Sequence, residues 1–382
     1  MKDFESIISA SERIVILVES GFGNLGQEAV VAGILNEIRD INPDTEITFN
    51  SNDPRASEEI HLQNHGSGIE NKKRNTRFVK SGSLRIMWEI IRSDCVIIGG
   101  DEISSESLDK YYRNVFSYFQ GKFRIYSGFF ADLMKKDIVI YKIGFYSMQR
   151  SFPKKIFLGL MRHAKYISVR DEASKRFILD KSNAFCSFEK YHGKPFRIHV
   201  SRDPAYSISN CGKSSQKKQE MTSEDLIPQS RIPQDISQHP ERKKVIGKSI
   251  GINLAYYFDN KTRKKIFGYV YDSIRKGGFK KIYLFSFGNH KGINTENDRI
   301  IIDEFIRFLK RKSPGIELWK YDSCNPYHID DKLKSIDCFI GMRYHPAILC
   351  SARKIPCTII VSNSKTMNMS VKGIKKIGLN EI

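Results

Sequence analysis

The hydrophobic pattern begins with RIVILVE at residues 13–19, a short run of β-branched and aliphatic side chains that predicts a strand. It leads straight into SGFGNLGQEAVVAGILNEIRDINP, where Ala29, Val30, Gly33, Ile34 and Ile38 recur at helical spacing. Asn42 and Pro43 end that helix, and EITFN predicts a second strand. Strand, loop, helix and strand in this order favour a parallel sheet. Further short strands are predicted at 94–100, 137–144, 166–169 and 197–200, separated by helical patterns, which points to a doubly wound sheet.

The alternation breaks over residues 209–248, a polar stretch that holds three prolines and has no periodic apolar face. It reads as a linker or mobile insertion. The pattern then restarts. Strands are predicted at 249–254, 281–287, 316–321 and 338–341 and at PCTIIVS, with helices at 261–276, 298–311 and 330–335 and over MRYHPAILCSARK. The expected organisation is therefore α/β, with two Rossmann-like doubly wound domains, 1–208 and 249–382, facing across a cleft in a glycosyltransferase-B-like layout.

A length of 382 residues suits two domains, and 40% hydrophobic residues argues against global disorder. No apolar run approaches bilayer length, and the first apolar stretch reads as a strand and not as a signal-peptide core, so a cytoplasmic protein is expected. Seven scattered cysteines without a CxxC pair read as core residues of a reducing compartment. The net charge of +20 suggests an anionic partner, or simply a lysine-rich solvated surface. Nucleic acid is the unlikely choice among such partners, because no helix-turn-helix, zinc, OB or RRM signature is present.

Four constellations could carry chemistry. Gly21, Gly23, Asn24 and Gly26 lie between a strand and a helix, where glycines let an anion approach the backbone; a tight turn needing positive φ is the structural alternative. Gly99, Gly100 and Asp101 end a buried strand, where Asp101 and Glu102 would accept from sugar hydroxyls or serve the dipole of a following helix. Arg170 ends the strand at 166–169 and either binds phosphate or carboxylate or pairs with Asp171. Most informative is GMRYHP: Arg343 and His345 sit two apart on a strand-to-helix turn, one suited to bind an anion and the other to move a proton. Lys365 follows the next strand, so the three would form a cationic pocket. No metal is expected, since no ligand-spaced partner accompanies His345.

These pieces, in this order, resemble the polysaccharide pyruvyl transferase family. They are GFGNLGQEAVVAGILNEIR, DCVIIGGDEI, YKIGFYS, ISVRDEAS, DPAY, IGINL and IDCFIGMRYHPAILCSARKIPCTIIVSNSK. The resemblance implies transfer of pyruvate from phosphoenolpyruvate to a sugar as a ketal, with no further cofactor. It implies that Arg343, His345, Lys365 and Arg170 bind the donor and catalyse, with His345 as general acid. The loop 21–26 and residues 99–101 would then face the acceptor, a glycan or a lipid-linked sugar. A lipid-linked acceptor would bring the protein to the inner face of a membrane. The chain departs from the family at Gln27, where an acidic residue is usual, and at Asp101, where a third glycine is common. A nucleotide-sugar glycosyltransferase of the same architecture is the alternative enzyme, and a basic nucleic-acid-binding protein the third reading.

Overall fold

A computed structural model describes residues 3–63, 75–100, 123–145, 152–179, 197–210, 248–255, 259–289, 297–362, 364–367, 369 and 371–382. Asp101 and residues 211–247 of the expected linker lie outside the described residues. The chain divides into two compact units. The first comprises Met1–Ile208 with Cys324–Pro326 and Asn368–Ser370, the second Ser209–Ser323, Tyr327–Met367 and Val371–Ile382.

In the first unit, strands β1 (Arg13–Leu17), β2 (Glu46–Ser51), β3 (Thr76–Lys80), β4 (Cys95–Gly99), β5 (Asp137–Ile143), β6 (Tyr166–Val169) and β7 (His199–Val200) form one sheet in the order β3-β2-β1-β4-β5-β6-β7. Every pairing is parallel. Its helices are α1 (Phe4–Ser9), α2 (Leu25–Ile41), α3 (Pro54–Glu58), α4 (Leu84–Arg92), α5 (Phe123–Leu133), α6 (Phe152–His163) and α7 (Glu172–Leu179). Parallel strands need cover on both faces, which is why CVIIG of β4 is buried throughout. Val96 and Ile98 pack with Ile86 and Ile90 of α4 and Ile125 of α5.

The second unit repeats the plan with β8 (Ser249–Ile252), β9 (Lys281–Phe285), β10 (Glu317–Tyr321), β11 (Cys338–Gly341), β12 (Cys357–Val361) and β13 (Ile374–Gly378), ordered β10-β9-β8-β11-β12-β13 and again parallel. Helices α8 (Asn260–Gly277), α9 (Asp298–Lys312), α10 (Pro326–Leu333), α11 (Tyr344–Ala352) and α12 (Ser364–Met367) connect them. Asp259 caps α8 by accepting from the amides of Lys261 and Thr262, and Gly278 ends it at φ 65°, a left-handed C-terminal stop.

Two strands were not anticipated from the pattern, β3 and β13. Both lie at a sheet edge, where one flank meets solvent and charged residues are tolerated. TRFVK and IKKIG therefore show no unbroken apolar run.

Candidate active site

In each sheet the chain reverses its direction of winding beside the first strand of the unit. In open α/β sheets such a switch point is where ligands bind, at the carboxyl ends of the strands. In the second unit that switch point lies between β8 and β11. Asn253 follows β8, and Arg343 follows β11 as the residue capping α11.

Asp298 joins them. It stands at the first position of α9 and is fully buried. Arg343 Nε donates to its Oδ1 and Oδ2 at 3.0 and 2.7 Å, and Nη2 to Oδ1 at 2.6 Å. Asp298 Oδ2 also accepts from the amides of Phe287 and Gly288 at 3.1 and 3.0 Å and from Asn253 Nδ2 at 3.1 Å. So many donors offset the desolvation of the carboxylate, and the fork-shaped contact sets the plane of the guanidinium. Since the pair sums to zero charge, Arg343 is an oriented donor and not an isolated cation. Asn253 is itself fully buried, and its Oδ1 has no hydrogen-bond partner among the described residues.

His345 follows in the first turn of α11, buried at 7% exposure, with its ring edge-on to Tyr344 at 5.6 Å. The neighbouring turn, after β12, is tied to this one: Ser362 Oγ donates to the carbonyl of Met342 at 3.3 Å, and Thr366 Oγ1 accepts from the amide of Ser362 at 3.1 Å. Lys365 therefore lies on a short helix beside the Arg343–His345 turn, at the same sheet edge. Only its backbone is described.

Of the first unit's candidates, the glycines end or follow β1 and β4 at its own switch point, and Arg170 follows β6, two strands from β4. Gly21 and Gly23 have φ of 77° and 75°, the positive values that suit a tight turn. The Gly21 amide donates to Glu28 at 2.8 Å, and Asn24 caps α2 by accepting from the amides of Gly26 and Gln27 at 3.0 and 3.4 Å. These three amides are thus satisfied within the unit and are not offered to an anion. A side chain at Gly99 would strike the carbonyl of Tyr141, and one at Gly100 would strike Val30, so both glycines serve close packing. For Arg170 the sequence left anion binding and pairing with Asp171 open, and the structure shows the pairing. The arginine side chain is wholly buried, 3.7 Å from a carboxylate oxygen of Asp171 and 3.7 Å from one of Asp203. The guanidinium fits there because residue 144 is glycine; a Cβ on it would lie 2.4 Å from Cζ of Arg170. Its charge is balanced by its own unit.

The profile of the polysaccharide pyruvyl transferase family matches residues 24–364. The chain belongs to this family. No curated protein matches. Among solved structures the chain is similar to the UDP-GlcNAc 2-epimerase of Methanocaldococcus jannaschii, at a TM-score of 0.54 and 14% identity over 97% of this chain and 89% of that one. It is similar also to a 2-epimerase described as that of Listeria monocytogenes, at 0.54 and 10% over 97% and 85%, and to that of Neisseria meningitidis, at 0.50 and 12% over 96% and 87%. At such identities the likeness concerns the fold alone, a two-domain α/β fold of the glycosyltransferase-B-like kind.

Sequence reasoning missed Asn253 and Asp298. Asn253 follows the SIGI strand, where a polar residue closing an apolar run was the available signal. Asp298 read only as the start of a helix. Thiol chemistry has no support at Cys95, Cys338 and Cys350. Burial pushes the Cys338 thiol up to about 12 and raises those of Cys95 and Cys350 too, so the nucleophilic thiolate is suppressed. Among the described residues no group of three or more His, Cys, Asp or Glu could hold a metal ion.

Proposed function

We propose that this member of the family moves the pyruvyl group of phosphoenolpyruvate onto two hydroxyls of one sugar in a polysaccharide or lipid-linked glycan. The observation that carries the reading is the turn after β11. There Arg343 is held in one plane by Asp298 at the switch point, with His345 two residues on. Phosphoenolpyruvate has a phosphate and a carboxylate, both matched by a guanidinium fork, the amides opening α11 and the ammonium of Lys365.

In the proposed reaction His345 gives a proton to the methylene carbon, which becomes a methyl group. The adjacent carbon takes on oxocarbenium character, and one sugar hydroxyl adds to it and loses its proton. The proton of that hydroxyl restores the one His345 gave; a second hydroxyl of the sugar then displaces phosphate, which leaves with the electrons of its carbon–oxygen bond and takes the second hydroxyl's proton. The products are a cyclic ketal and inorganic phosphate. Arg343 and Lys365 stabilise the charge that gathers on the departing phosphate. Arg170 enters only as the cation that fixes the carboxyl end of β6.

The test is phosphate release from phosphoenolpyruvate against a panel of glycan acceptors. His345→Ala is expected to abolish turnover while donor binding persists, and Arg343→Ala to lose binding as well. Parental rates in both variants would remove the assignment. Thermal stabilisation by UDP-, GDP- or CMP-sugars and not by phosphoenolpyruvate would instead favour a nucleotide-sugar transferase.

A further inference from the structure

Large apolar side chains stand exposed on two neighbouring helices of the first unit. On α4 they are Leu84, Trp88 and Ile91, at 89%, 56% and 41% exposure. At ~100° per residue these three fall within ~60° of arc, opposite Ile86 and Ile90, which face the core. The adjacent α5 and its following turn expose Phe129, Leu133 and Met134, at 42%, 55% and 41%. One amphipathic helix is ordinary; two in contact with outward apolar stripes make a patch.

Basic side chains flank the patch. Arg85 and Arg92 are exposed on α4 and Lys135 just after α5. The carboxylates of these segments are engaged. Glu89 faces inward and accepts from Arg77 at 2.6 Å, Asp132 pairs with His163 at 2.7 Å, and Asp94 accepts from the amides of Glu12 and Arg13 at 2.9 Å. A tryptophan amid aliphatic side chains and flanked by arginines matches an interfacial lipid-binding face, with rings and chains in the acyl boundary and cations among phosphates. Among the described residues no helix is long and apolar enough to cross a membrane, so such contact would be from one side.

We infer that the α4–α5 face docks on the surface of an anionic lipid bilayer. The inference stands independently of the proposed donor, though it suits a lipid-linked acceptor.

The chain has two tryptophans, Trp88 and Trp319, so the full-length Trp319→Phe protein makes Trp88 the sole reporter. Phosphatidylglycerol vesicles are expected to shift its emission to the blue and to sediment the protein, more weakly at high salt. Phosphatidylcholine vesicles should do neither. Leu84→Glu with Trp88→Glu, in the otherwise parental chain, should weaken sedimentation by at least about tenfold while circular dichroism stays unchanged. Phosphate release with a soluble acceptor should also be kept, which separates failure of docking from failure of the catalytic reading. An unmoved Trp88 spectrum, equal binding to phosphatidylcholine, or undiminished binding by the double variant would overturn the inference. So would a dimer in sedimentation velocity that the double variant dissolves, since the face would then belong to a second copy.

Discussion

Asp298→Ala tests whether Arg343 is held as described. The substitution removes both oxygens that receive Nε and Nη2 of Arg343, and with them the acceptor for the amides of Phe287 and Gly288 and for Asn253. Arg343 is only 13% exposed, so water replaces little of what is lost. Removing one partner of such a buried pair costs about 3–5 kcal/mol. Asp298→Asn keeps the shape and one carbonyl oxygen for the amides, and the expected loss is about 2 kcal/mol, the worth of hydrogen bonds to a charged group. Urea unfolding of Trp88→Phe protein, followed by Trp319 fluorescence, reads the second unit alone. In an Arg343→Met background the cost of Asp298→Asn should shrink or reverse, because a buried carboxylate without its cation gains from losing its charge. A loss below about 1 kcal/mol for Asp298→Ala, or additive behaviour of the pair within about 0.5 kcal/mol, would refute the reasoning.

Gly33→Ala in α2 should destabilise the protein by about 1–3 kcal/mol although alanine is the better helix former, since its Cβ would fall 1.9 Å from the backbone carbonyl oxygen of Pro204, which cannot swing aside; thermal unfolding measures this. Asp259 is held below the ordinary carboxylate value of 3.8, first by its hydrogen bond with the backbone of Thr262. A depressed folded value means its contribution is present above 3.8 and fades as pH falls through the folded value, so Asp259→Ala should lower Tm at neutral pH and lose that deficit in acid. With Cys186 and Cys211 replaced by serine, alkylation near pH 8 followed by mass spectrometry should label half-buried Cys324 well before Cys95, Cys338, Cys350 and Cys357, which are buried.

The βα alternation, the buried central strands and the Arg343–His345 turn were legible because each is a local matter. Burial on both faces writes an apolar run such as CVIIG, and a strand-to-helix turn writes its residues side by side. Edge strands escaped for the same reason inverted, since half-solvated TRFVK and IKKIG carry the charges their position allows.

What the chain determined by itself was the kind of element, the family and the turn where the chemistry is proposed. The tertiary structure alone decided the partners. Strand order brings Asn253 and Asp298 to Arg343 across 45 and more residues, adds Asp203 to the Arg170–Asp171 pair, and sets α4 beside α5 with their apolar stripes outward. Periodicity records whether a side chain is buried. Which side chain it meets depends on the order in which strands join a sheet, and no local pattern carries that.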